Sequence, residues 1–173
     1  GMADGSGISI QNGASLLSTG SAPISLTGTS AGVGAGILTN GSGSIGGASS
    51  TGDITLTAHT TTGTDSISFQ VPTITGTGKL YLQPLNAGTT IGLAEGAGIF
   101  NLSRTDLNVI SNGFASITIG RADGTGLITF GDGAGAGPGF TFNDNLKVRN
   151  PGAGSNGISI TDPLAMGANN LTL

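Results

Sequence analysis

The feature that most constrains this chain is a short unit, apolar–polar–apolar, that keeps returning. It occurs as Ile8-Ser9-Ile10, Ile24-Ser25-Leu26, Ile54-Thr55-Leu56, Ile67-Ser68-Phe69, Leu80-Tyr81-Leu82, Ile91-Gly92-Leu93 and Phe100-Asn101-Leu102. It continues as Ile117-Thr118-Ile119, Ile128-Thr129-Phe130, Phe140-Thr141-Phe142, Leu146-Lys147-Val148, Ile158-Ser159-Ile160 and Leu171-Thr172-Leu173. A period of two with β-branched residues is the signature of a strand with one buried and one wet face. Between the units lie corner residues such as Asn40-Gly41-Ser42-Gly43, Asp123-Gly124-Thr125-Gly126 and Gly131-Asp132-Gly133-Ala134-Gly135. Glycine and asparagine accept the positive φ that tight corners require.

From Ile54 to Phe100 successive units start 13, 13, 11 and 9 residues apart. Two units per coil give a repeat of about 20–26 residues, inside the solenoid range. Each such coil cannot bury its apolar side alone, and stacking at the strand spacing closes a continuous Ile/Leu/Phe core. The reading is an all-β parallel β-helix, or β-solenoid, of about 7–8 coils, roughly 35 Å long. The competing fold is an antiparallel β-sandwich. Asn12-Gly13, Asn40-Gly41, Asn112-Gly113 and Asn156-Gly157 all suit two-residue hairpin turns. Regular spacing and the scarcity of aromatics favour the solenoid: Trp is absent and Tyr81 is the single Tyr. One stretch, Thr105 to Ile110, suits a helical turn, with Ser103 and Thr105 as candidate caps.

Composition removes other classes. Of 173 residues, 34 are Gly, 41 are Ser or Thr and 12 are Asn, while charged residues are 8%. Coiled coils and helical bundles need charged outer faces that this chain lacks. Glycine keeps no three-residue period, which excludes collagen. No apolar run is long enough for a membrane-spanning helix. Sixteen Ile and sixteen Leu with a net charge of −4 argue against a disordered linker. The same charge argues against nucleic acid and against an electrostatic membrane anchor. Without cysteine there is no disulfide, thiolate metal site or thiol nucleophile. Gly1-Met2 reads as the scar of a cleaved tag. Residues 1–173 read as a single solenoid segment excised from a longer repeat protein.

The stretch Phe100-Asn-Leu-Ser-Arg-Thr-Asp-Leu-Asn-Val-Ile-Ser-Asn-Gly-Phe-Ala-Ser-Ile-Thr-Ile-Gly120, running on through Arg121-Ala-Asp-Gly-Thr-Gly-Leu-Ile-Thr-Phe130, resembles the repeat of large secreted bacterial adhesins of the filamentous-haemagglutinin type. Gly52-Asp-Ile-Thr-Leu-Thr-Ala58 and Pro163-Leu-Ala-Met-Gly-Ala-Asn-Asn-Leu-Thr-Leu173 are similar to it too. The resemblance implies a right-handed parallel β-helix exported by two-partner secretion or as part of an autotransporter. It implies a place at the outer surface of a Gram-negative bacterium or in its medium. The implied role is a stalk or a display surface for host or surface glycans or proteins. The family brings no shared catalytic residues.

Candidate chemistry is sparse. His59 is the single histidine, with Asp65 six residues on, and no Gly-x-Ser-x-Gly elbow accompanies them. The carboxylates are Asp4, Asp53, Asp65, Glu95, Asp106, Asp123, Asp132, Asp144 and Asp162. On a β-helix enzyme, carboxylates on neighbouring rungs serve acid/base work or Ca²⁺. Here most stand beside Gly or Asn, which points to corners where Asp bonds its own backbone. Gly131 to Gly135 matches a calcium nonapeptide in composition without its period. Thr60, Thr62, Thr64 and Thr73, Thr75, Thr77 suit exposed strand positions better than a flat water-ordering array. Asn40, Asn101 and Asn170 match the N-glycosylation pattern, as chance allows in such a composition.

The expectation is therefore a non-catalytic structural and adhesive scaffold, with no catalytic, cofactor-binding or metal-ligating residue assigned. The alternative is a polysaccharide-acting β-helix enzyme or a phage tail-spike segment. Both end coils would be uncapped, so end-to-end self-association is expected.

Overall fold

The computed structural model describes residues 5–61, 65–70, 73–133 and 138–173. Strands follow one another as β1 (Ile8–Ile10), β2 (Ser15–Leu16), β3 (Ile24–Ser30), β4 (Ile37–Asn40), β5 (Ser44–Gly46) and β6 (Ile54–Thr60). Then come β7 (Ile67–Gln70), β8 (Thr73–Thr75), β9 (Lys79–Pro84), β10 (Ile91–Leu93), β11 (Phe100–Leu102), a short helix α1 (Arg104–Asn108) and β12 (Ser116–Gly120). The remainder is β13 (Ile128–Phe130), β14 (Phe140–Thr141), β15 (Leu146–Arg149), β16 (Ile158–Ile160), β17 (Leu164–Ala165) and β18 (Leu171–Thr172). Every ladder between these strands is parallel. The fold is a parallel β-solenoid of about five turns.

Parallel pairing decides against the sandwich. Asn12 (φ 55°) and Gly13 (φ 82°) do take up left-handed conformations. They form a corner rather than a hairpin, because β1 pairs with β4 and β2 pairs with β5 in the next coil.

The coil count is lower than the expected seven or eight, since each coil carries three strands instead of two. One face is a six-stranded sheet in the order β18-β15-β12-β9-β6-β3. Its inward positions Ile24, Ile54, Leu80, Ile117, Leu146 and Leu171 stack in register, 25 to 37 residues apart. A second face is built from β1-β4-β7 and from β11-β10-β13-β16. The third holds β2-β5-β8, an isolated bridge from Ile74 to Ile110, and β14-β17. Six rungs at about 4.8 Å place the outer strands of the long sheet about 24 Å apart. Except at β14, which opens the Phe140-Thr141-Phe142 unit, the third face escapes the triplet pattern, because Leu16, Ile45 and Ile74 stand alone as the apolar residues of β2, β5 and β8. A single apolar residue leaves no period to see.

In the middle coils the interior is fully closed. Ile37, Ile45, Ile54, Leu56, Ile67, Ile74, Leu80 and Leu82 are all at 0% exposure. Burial of a Leu or Ile side chain contributes about 1.5–3 kcal/mol, so these columns are the main favourable term.

The fourth coil is the irregular one. β10 and β11 are both on the second face and pair with each other, Ile91 opposite Phe100 and Leu93 opposite Leu102. The chain returns to the same face after nine residues by a loop in which Ala94 (φ 51°) and Glu95 (φ 77°) are left-handed. A side chain at Gly92 would collide with the carbonyl of Gly96, so glycine is required for so small a loop. Here one face receives two rungs while the others receive one. α1 follows, opened by Ser103. Its Oγ accepts from the Asp106 N–H, and the Asp106 carboxylate accepts from the Ser103 N–H. This reciprocal cap explains why five residues hold a helix.

One interior position breaks the apolar rule. Thr39 stacks opposite Ile10 and Phe69, is at 0% exposure, and its hydroxyl finds no hydrogen-bond partner among the described residues. A buried hydroxyl without a partner costs stability that a same-shaped methyl does not. Thr39→Val is expected to raise the unfolding free energy by about 1 kcal/mol. Urea denaturation of the two proteins checks this; an unchanged or lowered midpoint would contradict it.

Candidate functional site

The charged residues are few, and the corners place them. The sequence led us to expect aspartates that bond their own turns. Most instead reach another coil. Asp53 Oδ1 accepts from the Lys79 N–H at 3.0 Å, and Asp144 Oδ1 accepts from the Gly113 N–H at 3.0 Å. Asp106 Oδ1 accepts from the Phe69 N–H at 2.6 Å, so α1 satisfies a donor of β7 where the regular ladder is interrupted. Asp123 stays local, paired with Arg121 at 2.8 Å. Arg121 in turn donates to the Leu85 carbonyl at 2.8 Å, again across coils.

The densest cluster centres on Arg104, which the sequence reading did not single out. Its backbone N–H donates to Glu95 Oε1 at 3.0 Å, and its guanidinium lies 3.8 Å from the same carboxylate. Nε donates to the Gly139 carbonyl at 3.2 Å and Nη2 to Asp162 Oδ2 at 3.1 Å. Asp162 Oδ2 also accepts from the Asp132 N–H at 3.3 Å, and the Asp162 side chain is at 0% exposure. One guanidinium thus fastens the β10–β11 loop, the approach to β14 and the end of β16. Nothing near Arg104 in sequence signals this, because its partners lie 9, 35 and 58 residues away.

Burial raises the carboxyl of Asp106 above the usual carboxylate range, against hydrogen bonds from Ser103 and Phe69 that lower it. Burial also raises Asp65, with help from the negative charges of Asp106 and Glu95. The Arg121 guanidinium holds Asp123 below that range.

Beside α1 the third face opens into a crevice of about 70 Å³, between the rung of Ile110 and β14. Leu107, Ile110, Phe140 and Phe142 give it an apolar floor, with Asn112 and Asp144 among its polar edges. The two phenylalanine rings meet edge to face at 4.9 Å. Its position follows from the extra rung: one face is taller here by a strand that the third face does not match. Asp144 is the one carboxylate on the crevice, and it already holds the Gly113 N–H.

The remaining candidates stay apart. His59 sits on β6 opposite Thr29, half-buried, with Nδ1 lacking a hydrogen-bond partner among the described residues. No hydrogen bond joins it to Asp65 among those residues. Thr60 is buried, Thr75 Oγ1 lies 3.1 Å from Ser111 Oγ, and Thr77 Oγ1 donates to the Ser50 carbonyl. Thr62 and Thr64 of the threonine rows, Ala134 and Gly135 of the calcium-like loop, Asp4 and the Gly1-Met2 pair lie outside the described residues. Of the glycosylation matches, Asn40 ends β4, the Asn101 amide donates to the Gly96 carbonyl and Asn170 donates its N–H to Asn145 Oδ1. Among the described residues no three His, Asp or Glu side chains gather to hold a metal ion, and no helix is long and apolar enough to cross a membrane.

Two outcomes follow. Arg104→Ala strands the buried Asp162 carboxylate and is expected to cost about 3–5 kcal/mol, read by urea denaturation. A loss below 1 kcal/mol would show that the cluster is not a clamp. A carboxyl with a raised folded-state pKa gives stability that is complete below the unfolded value near 3.8 and is lost as pH rises through the folded value. Asp106→Asn should therefore flatten the fall in unfolding free energy over that window, leaving the share due to Asp65. Parallel pH profiles for the two proteins would refute this. Comparison with family models, with curated proteins and with solved structures finds no match for this chain.

Proposed function

We propose that this chain is a non-catalytic scaffold segment, structural and adhesive, of a secreted or surface-attached bacterial protein. The observation that carries the reading is where the polar groups go. Asp53, Asp106, Asp144, Asp162, Arg104 and Arg121 are engaged in holding one coil to another. Uncharged side chains do the same: Ser30 Oγ donates to the Gly5 carbonyl, Ser66 Oγ to Ile99 and Thr161 Oγ1 to Phe130. Chemistry on a substrate needs carboxylates or a nucleophile held ready and uncommitted. A rod that must resist unravelling needs the reverse, with each rung clipped to the next. The adhesive half of the proposal rests on the resemblance of residues 100–130 and 163–173 to filamentous-haemagglutinin repeats, and on the Ser, Thr and Asn side chains along the corners. Those groups suit hydrogen bonding to glycans or to a protein surface. Export to the cell surface belongs to the same proposal.

A polysaccharide-acting enzyme on this architecture is the competing account, and one incubation separates the two. The purified chain is mixed with a panel of polysaccharides and glycans, then scored for retained binding and for new reducing ends. Retention without cleavage is the expected result and would supply the ligand class. New reducing ends would overturn the scaffold reading and direct mutagenesis to the crevice at Asp144.

A further inference from the structure

The middle residues of the thirteen triplets are mostly small and polar. Tyr81 is the one aromatic among them and Lys147 the one charged residue. Both lie on the six-stranded sheet. The register sets Thr118 opposite Tyr81 on one side and opposite Lys147 on the other, so the three form one outward row. Two rungs at about 4.8 Å separate Tyr81 from Lys147 by about 10 Å. Arg149 follows two residues after Lys147 on β15, and alternation along that strand turns both away from the interior. Gly120 stands opposite Arg149 and carries no side chain, so the surface beside the row stays low.

Charge is distributed unevenly over the molecule, and this face is the positive part of it. The strands β3, β6, β9, β12, β15 and β18 contain no Asp or Glu, yet they hold three of the five Lys and Arg residues. The other two are committed, Arg104 to Glu95 and Asp162, and Arg121 to Asp123. Lys79 has the Asp53 carboxylate on its own N–H. Lys147 and Arg149 form no ion pair among the described residues. They are uncompensated positive charges on a chain whose net charge is −4.

We propose that this face binds a carboxylated polysaccharide, a chain of uronic acid residues, across Tyr81, Lys147 and Arg149. A flat sheet suits an extended polymer laid over several rungs. The Tyr81 ring offers an apolar face to sugar C–H groups and a hydroxyl at its edge. The Arg149 guanidinium matches a carboxylate with two parallel N–H···O bonds, and Lys147 adds a point charge. At about 10 Å from the ring, these charges address a neighbouring sugar of the chain rather than the one on Tyr81. Thr118, only 6% exposed, is the floor between them. The polymer meets no like charge from the six strands, and complementary charge of this kind selects among partners. The proposal rests on the adhesive reading and names its face and ligand class.

Affinity electrophoresis through polygalacturonate, its carboxyl-reduced form and dextran sulfate tests it. Polygalacturonate should retard the unmodified chain, less so as salt rises, while the reduced polymer should not and dextran sulfate should do so weakly. Lys147→Gln with Arg149→Gln, and Tyr81→Ala alone, should each weaken retention about tenfold. Tyr81→Phe should keep it, and Arg149→Lys, which keeps the charge and loses the fork, should not. All these side chains point outward, so melting curves should stay unchanged. Equal retention by dextran sulfate would overturn the proposal, since bare charge would then suffice. So would full retention of the Lys147 and Arg149 double variant or of Tyr81→Ala. Retention of neutral glycans but not of polygalacturonate would overturn it and leave the adhesive reading standing. Retention of no polysaccharide would remove both.

Discussion

Everything in this molecule depends on parallel, in-register stacking of one coil on the next. A coil of about thirty residues has too little apolar surface to fold alone, and it becomes stable only as its inward side chains are covered from both sides. Register carries the arrangement. Sliding a strand by one residue would turn Ile54 and Leu56 outward and bring Thr55 into the interior. The parallel ladder fixes backbone positions so that Ile24, Ile54 and Leu80 fall in one column. The column in turn makes any other register costly. Small corners are the condition for this stacking. At Gly120 (φ 96°) a side chain would run into the carbonyl of Arg149 in the next coil, so coils at strand spacing need glycine there.

With the interior apolar, polar side chains find work between rungs. Their hydrogen bonds join residues about one coil apart, as in Ser30 with Gly5, Thr77 with Ser50, and Asn145 with Ala115. The same logic governs the disturbed fourth coil. The β10–β11 loop interrupts the ladder above β7, and Asp106 supplies the acceptor that β7 then lacks. Arg104 ties the inserted loop to the two coils that follow. The crevice beside α1 is the gap left where a face of two rungs lies against a face of one.

Much of this was legible in the chain. Eleven of the thirteen triplets lie wholly on strands of the solenoid and the other two begin on β14 and β18, and α1 overlaps the segment that suited a helical turn, starting one residue before it and capped by Ser103. These features are local: a period of two, a serine ahead of a turn, a glycine at a corner. The third face was legible only at β14, and the error in coil count follows from it. β5 and β8 contribute Ile45 and Ile74 singly, and a lone apolar residue among Ser, Gly and Thr looks like a corner. β4 was missed for another reason, since Thr39 occupies an interior place that the pattern reserves for an apolar residue. The aspartates were recognised as corner residues, but their partners were not, because Asp53 and Lys79 meet only after a full coil has been laid down.

What the sequence determined by itself is the class of solution. Alternating Ile, Leu and Phe with Ser and Thr, broken every ten or so residues by Gly and Asn, can bury its apolar face only as stacked short strands. Low charge and the lack of cysteine exclude most other architectures. The tertiary structure decided how many strands make a coil, which corner carboxylate clips which rung, and where the regular stack is interrupted. Those outcomes depend on contacts between residues 25 to 58 positions apart. Local preference, set by a residue and its immediate neighbours, carries no information about them.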